Sequence, residues 1–373
     1  MKRNLSRTTK TTAFCLMLIM AVTQSGLGQE DSKPAPRRTT IQVRRKAMLL
    51  DLDFSRSSKW IVTGGDAIRV FETQSGKIVS TISSAPLTRC VRFSPTEEGR
   101  FTTTSDDGKV RVFEVGAAKP KLVINAHPGH GVNGLAYSPD GKTFATASIK
   151  YEKGQAGEGQ FKIWNSKTGE ELFSKTLAAV DCRGVAFSPK GESLAVTLTP
   201  RGETKSKVEI YDTREWKLKA TVRFSPGFAI NTAFSPDGKM IVIAGGECED
   251  RNANSCMPTG KIWIAELDSD TEAFMLRPEP RHGYFRSVSF SRSGRSFVTG
   301  TSGRNPSRQA QLQSRDSRTG KLQWTASGGK GDAYGARLSP DGILAAYCES
   351  GHIYLVDATS GDRVHEIAVE LTK

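Results

Sequence analysis

The sequence predicts an all-β chain, a seven-bladed β-propeller of four-stranded antiparallel blades, and three observations predict it. First, an apolar strand closing on an anchor residue followed by Ser recurs seven times. The anchors are Phe54, Phe93, Tyr137, Phe187, Phe234, Phe290 and Leu338, spaced 39 to 56 residues apart. Second, a later β-rich run in five units carries an aromatic near its end, at Phe71, Phe113, Trp164, Tyr211 and Trp263. Third, two kinds of tight turn punctuate the units. Ser-Pro-Asp-Gly, as at 138–141, 235–238 and 339–342, follows the first strand, and Ser/Thr-Gly, as at Ser75-Gly76 and Thr168-Gly169, follows the third. The turn residues have physical roles: Ser opens the turn, Pro pre-sets φ, Asp tolerates the third position and Gly supplies positive φ. Four short strands per unit make one blade, which buries its faces only against neighbouring blades.

The elements follow in chain order. Lys2, Arg3, Arg7 and Lys10 precede the apolar run Ala13 to Val22, and Gly26-Leu27-Gly28 offers a small-x-small cleavage site. Residues 1–28 therefore read as a secretory signal, since ten apolar residues are about half of what a spanning helix needs. The alternative is a retained membrane anchor. Residues 29–40, polar with two prolines, read as a flexible leader, and 41–373 as the propeller. Two segments compete to complete the ring: Ile41-Gln42-Val43 before the first repeat, and Val364 to Val369 after the last.

The repeat resembles the WD-repeat propeller family. The residues that carry the likeness are the turn Ser105-Asp106-Asp107-Gly108 with Val110-Arg111-Val112-Phe113 after it, Ala126-His127 in place of a Gly-His pair, and Trp164-Asn165 and Tyr211-Asp212 approximating Trp-Asp. It covers about 325 residues. The chain departs from the family pattern in having no literal Trp-Asp in its repeats, with Arg315 and Val356 replacing the third-strand aromatic in repeats six and seven. The resemblance implies a platform that holds protein partners, although a fold alone does not fix function. It also implies that the connections between second and third strands share one face with the linkers between blades.

Those connections are enlarged in blades three to six, at about 150–160, 199–207, 247–259 and 301–311. Insertions on one face of a repeat protein often mark its binding side, although loops also drift in length. The linker before blade six is rich in Arg and aromatic residues, a composition favoured at interface hot spots. The candidate partner-binding residues are Arg277, Arg281, His282, Tyr284, Phe285 and Arg286 there, Arg251 in the blade-five loop, and Arg304 and Arg308 in the blade-six loop. The plainer alternative has Phe285 packed beneath the linker and the arginines merely solvated.

No catalytic constellation, cofactor motif or metal-ligand spacing stands out, so the chain reads as non-enzymatic and without cofactor. Asp250-x-Asn252-x-Asn254 matches the start of a calcium loop but is followed by Ser255 and Lys261 where Gly and Glu are needed. Propeller enzymes gather residues from scattered blades and leave no local motif, which keeps a hydrolase or lactonase as an alternative. Beyond the signal there are five cysteines, of which Cys248 and Cys256 bracket one polar loop and form a candidate disulfide in an oxidising compartment. The net charge of +14 falls to +10 without residues 1–28. That balance admits an acidic polysaccharide as a second partner class; an exported chain rarely meets nucleic acid. No segment after the signal is long and apolar enough to span a bilayer. The expected location is periplasmic or secreted.

Overall fold

Each Ser-Pro-Asp-Gly turn reverses the chain as its composition demands. At 138–141 the Ser138 hydroxyl donates to Asp140 Oδ1 at 2.7 Å, the Gly141 amide donates to Ser138 O at 2.9 Å, and Gly141 takes φ +69°. The same arrangement recurs at Ser235, Asp237 and Gly238 and at Ser339, Asp341 and Gly342. The strands these turns join form seven four-stranded antiparallel sheets in a computed structural model. It describes residues 46–370 except 84–85, 151–156, 201–205, 225–226, 248–258, 268–273, 277–282, 303–308 and 330. The chain divides into two units, Met1–Val43 and Arg44–Lys373, and the propeller is the second.

Every sheet runs first to fourth strand in chain order, and the seven sheets are the seven blades. The first strands are Leu49–Phe54, Thr88–Phe93, Gly131–Tyr137, Val180–Phe187, Phe228–Phe234, Phe285–Phe290 and Tyr334–Leu338. Successive side chains of a strand point to opposite faces, so each blade feeds two seams. In blade four, Leu194 and Val196 enter the core shared with blade three, whereas Ala195 enters the core shared with blade five. Seven buried apolar clusters result, one for each seam.

Among the described residues, ring closure uses no exchanged strand. Arg363–Ala368 is the fourth strand of blade seven, paired to His352–Asp357, and blade one is complete in itself. Ile41 to Val43 lie outside the described residues. The chain just after them contributes a short latch: Lys46 bridges Glu370, and Ala47 donates to Val369 O at 3.3 Å. The closing seam has the largest number of buried apolar residues of any seam among the described residues, joining Leu49, Leu52, Phe54, Ile61 and Phe71 to Ala346, Cys348, Ile353, Leu355 and Ile367. Asp51 and Asp53 reinforce it. Their carboxylates accept the Val91 and Phe93 amides of blade two at 3.1 and 2.8 Å. Arg337 of blade seven reaches the same two carboxylates at 3.7 and 3.8 Å.

The third-strand aromatic does not hold one register. Trp164 pairs across from Phe144 and Tyr211 across from Leu194, but in blade five the matching Ile241 faces Ala265. Trp263 sits two residues earlier, against Phe224 at 4.5 Å. Gly227 makes room for it, since a Cβ there would fall 2.9 Å from the indole. Cys90, Cys182 and Cys348 are buried free thiols; Cys248 and Cys256 lie outside the described residues.

Blade three holds a buried polar chain. Trp164 Nε1 donates to Thr146 Oγ1 at 2.9 Å, and Thr146 Oγ1 lies 2.7 Å from His127 Nε2. His127 Nδ1 faces Ser148 Oγ at 2.8 Å and Gln160 Oε1 at 3.3 Å. The Gln160 oxygen only accepts, so the ring proton belongs on Nδ1 and Nε2 accepts from Thr146. Burial drives the His127 pKa down to about 3, so the folded ring is neutral. A histidine that titrates near 6.5 when unfolded and near 3 when folded stabilises above pH 6.5, and this contribution is lost as pH falls from 6.5 towards 3. Urea midpoints should show the chain about 2 kcal/mol less stable at pH 5 than at pH 7.5 from this group. His127→Gln should be less stable at pH 7.5 and show a flatter dependence. An unchanged pH dependence in that variant would remove His127 as its cause.

Candidate channel-mouth site

The first strands line the central channel, and their sequences can be read in layers. Four residues before each anchor stand Leu50, Arg89, Asn133, Arg183, Ile230, Arg286 and Tyr334, and all seven line one cavity of about 510 Å³ at the channel mouth. One residue before each anchor stand Asp53, Arg92, Ala136, Ala186, Ala233, Ser289 and Arg337, of which Arg92 and Arg337 reach the same cavity. Thus blades seven, one and two place charge at the deeper layer, and blades three to six place Ala or Ser. The starts of the first strands pair with the ends of the second strands, as Val180 with Pro200 and Phe228 with Gly246. The second-to-third-strand connections therefore leave from the mouth end of the blades.

Arg286 is the most elaborately held of the rim residues. Its guanidinium lies 4.6 Å from the Tyr284 ring centre and 4.3 Å from that of Tyr334. It donates to Asp332 Oδ2 at 2.6 Å and to the Tyr284 hydroxyl. Asp332 also accepts from Ser302 at 2.7 Å and Tyr334 at 3.1 Å. Burial alone would raise the Asp332 carboxyl, but the Arg286 charge and these hydrogen bonds hold it below the usual carboxylate range. Burial, opposed by Arg286 but helped by Asp332, pushes the Tyr334 phenol up to about 12. Planar stacking and a shared carboxylate thus fix the arginine before any ligand arrives.

The linker that delivers Arg286 is seated on glycines. Tyr284 and Phe285 are buried, Phe285 completely, and Phe285 belongs to the core between blades five and six. A Cβ on Gly246 would lie 2.7 Å from Tyr284 Cβ, and one on Gly260 would lie 2.7 Å from Phe285 Cε2. Of the residues proposed from sequence, Tyr284 and Arg286 are at the mouth, whereas Phe285 anchors them from beneath. Arg251, Arg277, Arg281, His282, Arg304 and Arg308 lie outside the described residues. Sequence reasoning did not single out Arg89, Arg183 and Tyr334, although their fixed distance from each anchor was a readable signal.

The other mouth groups are paired or quiet. Arg89 makes a two-pronged bond to Asp106 at 2.7 and 2.8 Å, and Arg183 donates to Asp181 at 3.0 Å. Cys90 donates to Asn133 O at 2.9 Å, and burial pushes its thiol up to about 11, far from a thiolate at neutral pH. The described residues offer charge, hydrogen bonds and apolar wall to a ligand.

The family described as WD domain, G-beta repeat matches residues 118–165, the stretch that contains His127, Thr146 and Trp164. The chain is similar to WD repeat-containing protein 1 of Bos taurus, 30% identical over 42% of this chain and 25% of that protein. The Gallus gallus protein of the same name is 33% identical over the same shares. Minichromosome loss protein 1 of Schizosaccharomyces pombe is 23% identical over 66% of this chain and 28% of its own length. The chain thus spans about a quarter of the length of the curated relatives it matches. Hydrazine synthase of Kuenenia stuttgartiensis has a similar solved structure, with TM-score 0.73 and 15% identity over 87% of this chain and 99% of that one, a likeness of fold alone.

The glycine seat gives a direct test. Gly260→Val should cost about 1–3 kcal/mol through overpacking against Phe285. Gly331→Val should change little, because a Cβ there meets nothing within 4 Å. Denaturant midpoints compare the two, and equal losses would refute the seat.

Proposed function

The chain belongs to the WD-repeat propeller family, and from that premise we propose that it is a non-catalytic protein-interaction platform working outside the cytoplasm, with the channel mouth as its binding face. The observation that carries the reading is the rim itself. All seven blades contribute one residue at the same register to a cavity of about 510 Å³, a size suited to a ligand group or a peptide segment. Arg286, stacked between Tyr284 and Tyr334, is pre-organised, so little rotamer freedom remains to be lost on binding. Arginine and tyrosine are the residue types that dominate interface hot spots.

A non-catalytic role is supported by the state of the mouth groups. The Cys90 thiol is held protonated, and the rim arginines are tied to carboxylates. The exported location is supported by the basic start, apolar run and small-residue site within residues 1–28. A second reading, an acidic polysaccharide as ligand, is favoured by the net charge of +14.

A photo-crosslinking side chain at Ile230 on the rim should capture a partner from native extract. The same probe at Ile343, which is 63% exposed on a first-to-second-strand turn at the opposite end, should not. Equal capture from both faces would sink the binding-face proposal, and capture of glycan in place of protein would favour the second reading. Mass spectrometry of the exported protein should find an N-terminus at Gln29; a chain retaining residues 1–28 would contradict signal cleavage.

A further inference from the structure

We propose that the channel mouth reads carboxylates, and that its ligand is an acidic peptide segment whose Asp or Glu side chains are received by Arg89, Arg183 and Arg286. This inference rests on the mouth being the binding face and adds the chemistry of what binds there. The three arginines come from blades two, four and six at one register, so they stand on alternate blades around the rim. Arg92 and Arg337 lie deeper in the same cavity. Its described wall thus carries five arginines against two aspartates, Asp51 and Asp181.

The rim ion pairs do not cancel this excess at the surface. In each, the arginine side chain is more exposed than its acidic partner's: 38% against 32% for Arg89 and Asp106, 33% against 15% for Arg183 and Asp181, and 20% against 13% for Arg286 and Asp332. Asp106 and Asp332 stand behind their arginines, off the cavity wall. A carboxylate arriving from solvent therefore meets cations first. Planar guanidinium suits carboxylate geometry, and charged hydrogen bonds are about twice as strong as neutral ones.

The remaining wall selects among anions. Leu50, Phe228, Ile230 and Tyr334 interrupt the arginines with apolar surface. A uniformly charged polyanion laid across the opening would leave that apolar surface without a partner. A peptide places its carboxylates at intervals and fills the gaps with apolar side chains, so it satisfies both features.

Panning a random peptide display library on the full chain tests the proposal. Selected peptides should be enriched in Asp and Glu. By fluorescence polarisation, their Asn/Gln counterparts should bind at least tenfold more weakly, and affinity should fall with added salt. Arg183→Met with Arg286→Met should weaken binding at least tenfold. Arg183→Met alone, at a more exposed position, should weaken it measurably if the double variant fails to fold. Arg292→Met, exposed at the opposite end, should leave it unchanged. Neutral or basic selected peptides, or acidic ones indifferent to both arginines, would overturn the proposal, as would tighter rim binding by a heparin hexasaccharide. Peptides without acid that still block the Ile230 crosslink would leave the binding face standing and remove only the carboxylate reading. Failure of every peptide to block that crosslink would remove both.

Discussion

A propeller exists only if its last blade meets its first. Each blade of this chain is assembled from consecutive strands, so among the described residues only the short Lys46–Glu370 bridge pairs backbone across the gap between blades seven and one. Side chains do most of the work. Twelve buried apolar residues meet there, and the Lys46 and Ala47 latch keeps the seam's edge covered. Asp51 and Asp53 then join three blades at once, through amides of blade two and Arg337 of blade seven. Buried ion pairs are weak sources of net stability but costly to break. If blade seven met blade one in another register, Asp51 and Asp53 would keep the Arg92 charge and the Val91 and Phe93 amides of blade two but lose Arg337.

Much of this was legible in the residues. The seven anchors and their turns marked the blade count because turn chemistry is local: Gly141 needs positive φ and Asp140 caps amides two residues away. His127 and Trp164 were visible as family-like positions for the same reason, each keeping a fixed place within its repeat. The register of Trp263 was not legible. Its displacement depends on Phe224 and Gly227, the end of blade four and the linker that follows it, and no pattern within the third strand encodes that.

The mouth was half legible. Arg and aromatic crowding before blade six drew attention to Tyr284 and Arg286, but composition could not separate them from Phe285, which faces the core. The partners that make Arg286 rigid, Asp332 and Tyr334, lie 46 and 48 residues downstream, so only the closed ring brings them together. Closure between the two terminal segments stayed open in the sequence because both are short β-rich runs, and choosing between them requires knowing which edge is already paired.

The one-residue-per-blade construction of the rim has an evolutionary reading. Since each blade supplies a single position at the same register, a substitution at one of them rewrites one seventh of the rim while the anchors, turns and seam clusters beneath stay as they are. Arg89 and Arg183 each pair with an aspartate of their own blade, Asp106 and Asp181, whereas Arg286 and Tyr334 of neighbouring blades are coupled to each other and would have to change together. Specificity in such a molecule can drift by independent steps around most of the circle, with one linked pair as the conservative arc.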